Sequence, residues 1–444
     1  VLWEPRFGFN WDAMGNKTTQ VRGGTGIFTG RPPLVFVSNQ VGNNGVLTGF
    51  IDVSGAAASS YGFTAEPAKY FTPSTQVWKS NIAVDQKLPY GFVGTVELLY
   101  NKYLNAVNYY NANLDAPVGN FSGVDKRALY SRTDAGVRVN DNVSMAAVLN
   151  NTSDPYYKSL TLKLEYPYQK GLWGSIAWTT SSAKDYMSAG SIASGSWQSI
   201  RSVNGNNSPL LSNTDFNIPQ RLVGLLGYRI EYGKKYGGAT SITLGYVGQK
   251  SGGWSYYVAG DLNGDRVNNN DLIYVPTDYT QMRFAPLTVG TRVYTEIEQQ
   301  AAYWNYINQD DYLKTRRGQY SERNASFLPM LHRFDLSITQ DFYVKVKEHK
   351  NSVQVRFDIL NFGNMLNHDW GVSQRATNPA LLTYSSVNTA GEPVYKLATQ
   401  KMADGTTGLI QNTYSRNSSV FDVWTAQLGV RYTSVSYTHL TLPT

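Results

Sequence analysis

Four stretches of the chain alternate apolar and polar residues almost without a break. In HRFDLSITQDF, Phe334, Leu336, Ile338 and Phe342 oppose Arg333, Asp335, Ser337, Thr339 and Asp341. In SVQVRFDIL, Val353, Val355, Phe357 and Ile359 oppose Gln354, Arg356 and Asp358. SLTLKLEY sets Leu160, Leu162, Leu164 and Tyr166 against Thr161, Lys163 and Glu165, and VWTAQLGVRY sets Trp424, Ala426, Leu428, Val430 and Tyr432 against Thr425, Gln427 and Arg431. A period of two puts each set on its own side of a strand, so the pattern predicts a sheet with one apolar and one polar face. The same reading along the whole chain predicts about eleven strands, near 3–12, 18–28, 77–87, 92–110, 157–166, 172–186, 219–231, 239–257, 331–343, 352–362 and 422–433.

Short turns rich in Gly, Asn and Pro join these strands in pairs at AMGNK (13–17), LPYG (88–91), PYQKG (167–171), YGKKYGG (232–238) and VKEHKN (346–351). Between the pairs run long segments, 29–76, 111–156, 187–218, 258–330 and 364–421. Short turns and long loops therefore alternate from one end of the chain to the other. A soluble sandwich has water at both ends and no reason to keep that order. An outer-membrane barrel does, with short periplasmic turns and long extracellular loops. The expected fold class is thus all-β: part of a transmembrane antiparallel barrel, about eleven strands that make half of a 22-stranded plugged barrel.

Composition narrows the alternatives. Charged residues are only 16% and Gly, Tyr, Phe and Trp are abundant, which suits strands and turns. Mean hydropathy is −0.35 and no apolar run reaches the roughly 20 residues of a membrane-crossing helix. Trp3, Trp11, Trp78, Tyr166, Trp173, Trp178, Tyr228 and Trp424 fall on strands, as interfacial girdles require and as β-propensity alone would also give. The absence of cysteine removes disulfides and thiolate chemistry. A net charge of +7 without a basic run gives no nucleic-acid footprint.

Candidate chemistry gathers in DLNGDRVNNNDLIYVPTD (261–278). Asp261, Asn263 and Asp265 stand at the first, third and fifth positions of a calcium loop. Arg266 then occupies the place of the turn glycine, and Asp271 closes one position early. The stretch reads either as a modified calcium site, with Asp261, Asn263, Asp265, Asp271 and the Val267 carbonyl as ligands, or as an Asx-rich turn without metal. Further on, Thr295 and Glu298 form a capping-box pattern, and Ile297, Ala301, Trp304 and Ile307 share one face of the helix it starts. Trp254, Tyr256 and Tyr257, read as the top of the preceding strand, and Trp304 are the ligand-contact candidates; the first three read equally as girdle or loop-core residues. No HExxH, GxSxG or Walker pattern surrounds His332, His349 or His368. Glu97, Asp335 and Asp358 sit on polar strand faces, where a wet barrel interior would hold them, so no enzymatic function is expected. The glycines of GGTG (23–26) ease strand bending and do not cradle phosphate.

Several extended blocks, PRFGFNWDAMGNKTTQVRGGTGIFTGRPP (5–33), VDQKLPYGFVGTVELLYNKYLNAVNYYNANL (84–114), DLNGDRVNNNDLIYVP (261–276), and LHRFDLSITQDF followed by NSVQVRFDILNFGNMLN (331–367), together resemble the C-terminal barrel half of Oar-like TonB-dependent receptors of Bacteroidota-type bacteria. The resemblance covers about residues 3 to 433. It implies an outer-membrane transporter embedded in lipid, with an unknown extracellular ligand and a TonB partner reached through an N-terminal plug upstream of Val1. It fails at the end: after LGVRYT the segment 434–444, with His439 and Pro443, loses the alternation and is expected to be non-native. A secreted or surface glycan- or peptide-binding β-protein, an exoenzyme on a β-scaffold and a plugless porin are the competing classes.

Overall fold

The computed structural model describes residues 3–30, 34–35, 75–141, 143–190, 192–233, 236–250, 252–346 and 349–434. Most of the 29–76 loop, the tips of two hairpins and the 435–444 tail lie outside the described residues. Eleven long strands form one sheet: β1 (Arg6–Asp12), β2 (Thr19–Thr29), β3 (Gln76–Lys87), β4 (Val93–Asn111), β5 (Tyr156–Gln169), β6 (Leu172–Asp185), β7 (Gln220–Gly233), β8 (Tyr236–Lys250), β9 (Leu331–Val346), β10 (His349–Leu360) and β11 (Thr425–Ser434). Each pairs antiparallel with its successor, in strict chain order. All eleven expected strands are present, within a few residues at their ends. The exception is the eighth, which stops at Lys250 instead of running to residue 257.

Register carries the two faces across the sheet, with shifts only at the strand ends near Gln76 and between Tyr166 and Gln169. Leu244 pairs with Leu336 and Leu336 with Ile359; Ile242 pairs with Ile338, Ile338 with Phe357, and Phe357 with Leu428. On β3, β4, β5 and β6 the row is Val84, Val96, Leu162 and Trp178. Much of this face stands exposed, Ile82, Leu98, Ile176, Leu226, Ile242, Phe342, Leu428 and Val430 among it, the last at 71%, while Ile359 is buried. A bare apolar band across eleven strands is far larger than water-soluble surfaces carry. The opposite face holds ion pairs and amides: Arg22–Asp85 at 2.8 Å, Arg229–Asp341 at 2.8 Å and Arg356–Asp358 at 2.7 Å, with Thr95 and Gln354 hydrogen-bonded to Asp85 and Asp341. Trp173 departs from the girdle expectation. Its register partner Gly227 places it on this polar face, where only glycine leaves room for the indole.

One end of the sheet has only short turns. Lys170 and Gly171, at φ 49 and 89, make a two-residue turn between β5 and β6 whose twist matches its strands. A side chain at Gly171 would run into the Arg229 carbonyl. Gly171→Ala should therefore destabilise the barrel by about 1–2 kcal/mol, read as a lower urea midpoint, whereas Lys170→Asn should not. At the other end the segments after β4, β6, β8 and β10 fold together. The segments after β4, β8 and β10 share a buried cluster that includes Phe121, Tyr256, Ile273, Tyr303, Leu382 and Tyr395, and the segment after β6 packs Trp197 and Ile200 with Tyr109, Leu149 and Val267. The packed core of this protein thus sits in its loops, not in its sheet.

Candidate functional site

The loop body is pinned by residues far apart in the chain. Arg127, fully buried, forks onto Asp125 through Nε to Oδ1 at 2.9 Å and Nη2 to Oδ2 at 2.9 Å. Its Nη1 reaches Asp271 at 3.1 Å and its Nη2 the Leu272 carbonyl at 2.7 Å. The hydroxyls of Tyr320 and Tyr395 donate to the two Asp125 oxygens at 3.0 and 2.8 Å. The Arg127–Asp125 pair therefore ties together the loops after β4, β8 and β10. Sequence reading missed Asp125 and Arg127, because an acid and a base two apart in VDKRAL look like any solvated turn.

The Asp261–Asp271 turn folds as the spacing suggests. Asp261 accepts the Gly264 and Arg266 amides at 2.7 and 3.2 Å, Asn263 accepts that of Asp265 at 3.0 Å, and Asp265 that of Val267 at 3.0 Å. Arg266 takes φ +66, the left-handed conformation a glycine would adopt there more easily. Asp271, however, turns one oxygen to Arg127 and the other to the Leu262 amide at 3.0 Å. Among the described residues no group of three acidic or imidazole side chains is arranged to hold a metal. Burial, with Asp271 and Asp261 nearby, pushes the Asp265 carboxyl up to about 7; Asp271 rises to about 6 for the first reason, against the pull of Arg127. Asn270 is fully buried, gives its Nδ2 to Asp265 at 2.8 Å and leaves its Oδ1 without a partner.

The helix Glu296–Gln309 starts at Thr295 with the expected capping box. Its buried face differs from the expected one: Ile297 is 71% exposed, and Gln299, Gln300, Tyr303, Tyr306 and Ile307 point inward. The glutamines are tolerated because their amides are used, Gln299 on the Ala285 carbonyl at 2.7 Å and Gln300 on that of Met282 at 2.9 Å. Tyr256 is only 1% exposed, with its hydroxyl on Tyr306 at 3.0 Å and Asp310 at 2.5 Å. That ring is loop core and has no surface left for a ligand. Since β8 ends at Lys250, Trp254, Tyr256 and Tyr257 belong to this loop body and not to a strand top. Trp254 packs edge-on to Tyr256 and Tyr414, Tyr257 lies under Arg201 at 4.6 Å, and Trp304 under Arg317 at 3.7 Å. A hollow of about 550 Å³ opens between the helix and the hairpin Thr399–Leu409, lined by Tyr294, Asn305, Gln309, Met402 and Gln411. None of the aromatic candidates lines it.

A family model, "Outer membrane beta barrel domain", matches residues 2–400. No curated protein matches the sequence. Among solved structures, a mutant of the ferric enterobactin receptor PfeA from Pseudomonas aeruginosa aligns at 9% identity and a TM-score of 0.36, covering 98% of this chain and 40% of that one. The outer membrane transporter YddB from Escherichia coli aligns at 12% identity and 0.37, covering 97% of this chain and 40% of that one. The chain thus spans about 40% of the length of either. The family match covers most of the chain, and its two-faced sheet has the exterior that a lipid bilayer requires: the chain belongs to the outer-membrane β-barrel domain family, and its place is the outer membrane.

Proposed function

We propose that this chain forms half of a plugged, energy-coupled barrel that takes up a scarce extracellular ligand. The observation that carries the reading is the pair of sheet edges. Among the described residues β1 and β11 each have one hydrogen-bonded neighbour, and an open strand edge is untenable in hydrocarbon. Further strands pairing with both edges would close a barrel wide enough to need a plug. The loop body, with its own core and its 550 Å³ hollow, would act as the capturing mouth. Plug rearrangement driven through TonB would then release the ligand inward. Reading the coding sequence upstream of Val1 tests this: a continuous frame with about eleven more alternating strands and a plug supports it. A signal peptide directly before Val1 would sink it and favour a plugless porin.

Within the mouth, the Asp261–Asp271 turn is assigned a calcium ion held by Asp261, Asn263, Asp265 and the Val267 carbonyl, with Asp271 shared with Arg127. The unpartnered Asn270 Oδ1 and the destabilised Asp265 favour it. The unfolded chain loses the Asp265 proton near pH 3.8, while the folded loop keeps it to about 7. Unfolding therefore releases a proton across that window, and without metal the loop body should lose stability as pH rises from 5 to 7.5, by a few kcal/mol at most. Millimolar calcium should restore the loss at pH 7.5, and Asp265→Asn should abolish the calcium response and shrink the pH response to the part that Asp271 carries. Loop melting that ignores calcium at pH 7.5 would leave a plain Asx-rich turn.

A further inference from the structure

The apolar band carries no charge along its middle, yet at its loop-side end three lysines stand together. Register places Tyr100 beside Lys158 and Lys158 beside Ser182; one step further out, Lys102 pairs with Tyr156 and Tyr156 with Lys184. Lys102, Lys158 and Lys184 therefore sit on the lipid-facing side of β4, β5 and β6; Lys158 is diagonal to both others, about 7 to 8 Å between Cβ atoms, and Lys102 and Lys184 flank Tyr156 at two strand spacings, roughly 10 Å. Among the described residues none makes an ion pair. The nearby Asp154 receives the Tyr186 hydroxyl at 2.7 Å, and Lys158 Nζ rests over the Tyr156 ring at 5.8 Å. Immediately inward lies a hollow of about 580 Å³. The short side chains of Ser80, Thr180 and Ser182 leave it open between the taller Leu98, Tyr100 and Leu160.

The family places this end, where the long loops lie, on the outside of the outer membrane. Lysines can snorkel from an apolar wall to the interface with no ligand at all. Here three cluster on adjacent strands beside one recess, which Lys158 lines, whereas β8 ends its apolar face in a single lysine, Lys250, paired with Gln220. We propose that this patch is a binding site for one phosphorylated, acylated lipid of the outer leaflet. The lysines meet its phosphate and the hollow takes an acyl chain. Clustered cations beside a membrane wall recognise anionic headgroups in this way, and the recess adds the apolar contact that a free phosphate could not use. This site is independent of the transport reading, since it needs only the membrane and the direction of the loops.

Native mass spectrometry of the full-length protein, released from micelles containing bis-phosphorylated lipid A, tests it. Wild type should retain one lipid. The triple variant Lys102→Gln, Lys158→Gln, Lys184→Gln should bind it on the order of 100-fold more weakly, from roughly fivefold per lysine. Dephosphorylated lipid A should bind the wild type as weakly as the phosphorylated form binds the variant. Replacing the same lysines by arginine, which keeps the charge, should preserve retention and show that the glutamine variant is not simply misfolded. Equal retention by wild type and glutamine variant would overturn the proposal. So would full displacement by millimolar inorganic phosphate, which would show an anion site without lipid contact.

Discussion

Arginine at Leu336 should strongly reduce the fraction of this protein that assembles in the outer membrane, whereas arginine one residue on, at Ser337, should leave it near wild type. Leu336 pairs with Leu244 and Ile359, one step from Ile338 at the middle of the apolar belt on β9. A guanidinium on the lipid side near mid-bilayer costs about 2–4 kcal/mol, a factor of roughly 30 to several hundred in the folded-to-unfolded ratio. Ser337 pairs with Thr243 and Asp358, on the face where Arg356 already meets the same carboxylate at 2.7 Å. An arginine there joins a wet, ionic surface. Heat-modifiable gel mobility of outer-membrane fractions separates folded from unfolded barrel. Equal tolerance at both positions would mean that the two faces do not differ in solvent, and a worse outcome at Ser337 would reverse them.

The contrast between adjacent residues is also where the sequence was most legible. Strands that see lipid on one side and water on the other must alternate at every step, so the signal in HRFDLSITQDF is nearly free of noise. All the long strands and the asymmetry of their connections followed from it. The loop body obeys no such period. Its short strands Tyr257–Ala259, Ala380–Val387 and Pro393–Leu397 form a small sheet from segments more than a hundred residues apart, and Tyr257–Ala259 joins it in parallel. Nothing local announces that. Helix Glu296–Gln309 shows the same limit from another side. Its capping box was readable because it lies within four residues. Its buried face was not, because Gln299 and Gln300 are buried only where distant carbonyls receive their amides. Tyr256 was singled out as an aromatic at a loop mouth, but Asp310 and Tyr306 draw its hydroxyl inward.

Replacing Arg127 by methionine should loosen the loop body while leaving the barrel intact. The side chain is completely enclosed, and its loss strands Asp125 and Asp271 in the interior with tyrosine hydroxyls on the one and a backbone amide and the Asp261 charge beside the other. Removing one partner of a buried ion pair costs about 3–5 kcal/mol, mostly because the survivor cannot be resolvated. Arg127→Lys should fall between, since a point charge cannot fork onto Asp125 and still reach Asp271 and the Leu272 carbonyl. The sign of the pH response is specific. Arg127 holds down the Asp271 carboxyl, which burial already lifts to about 6. Without the guanidinium that value rises further, so the folded variant keeps a proton that its unfolded chain gives up. Its loops should then be firmer at pH 5.5 than at pH 8. Hydrogen exchange on the intact protein reads both effects: amides near Leu272, Tyr320 and Tyr395 should lose protection together, because the Arg127–Asp125 pair links the two loops that carry them to its own. Unchanged protection there would mean that the loops are held by their apolar core alone. Loss confined to one loop would mean that they move as separate flaps, and a mouth built of separate flaps could not hold the 550 Å³ hollow between the helix and the Thr399–Leu409 hairpin in one shape.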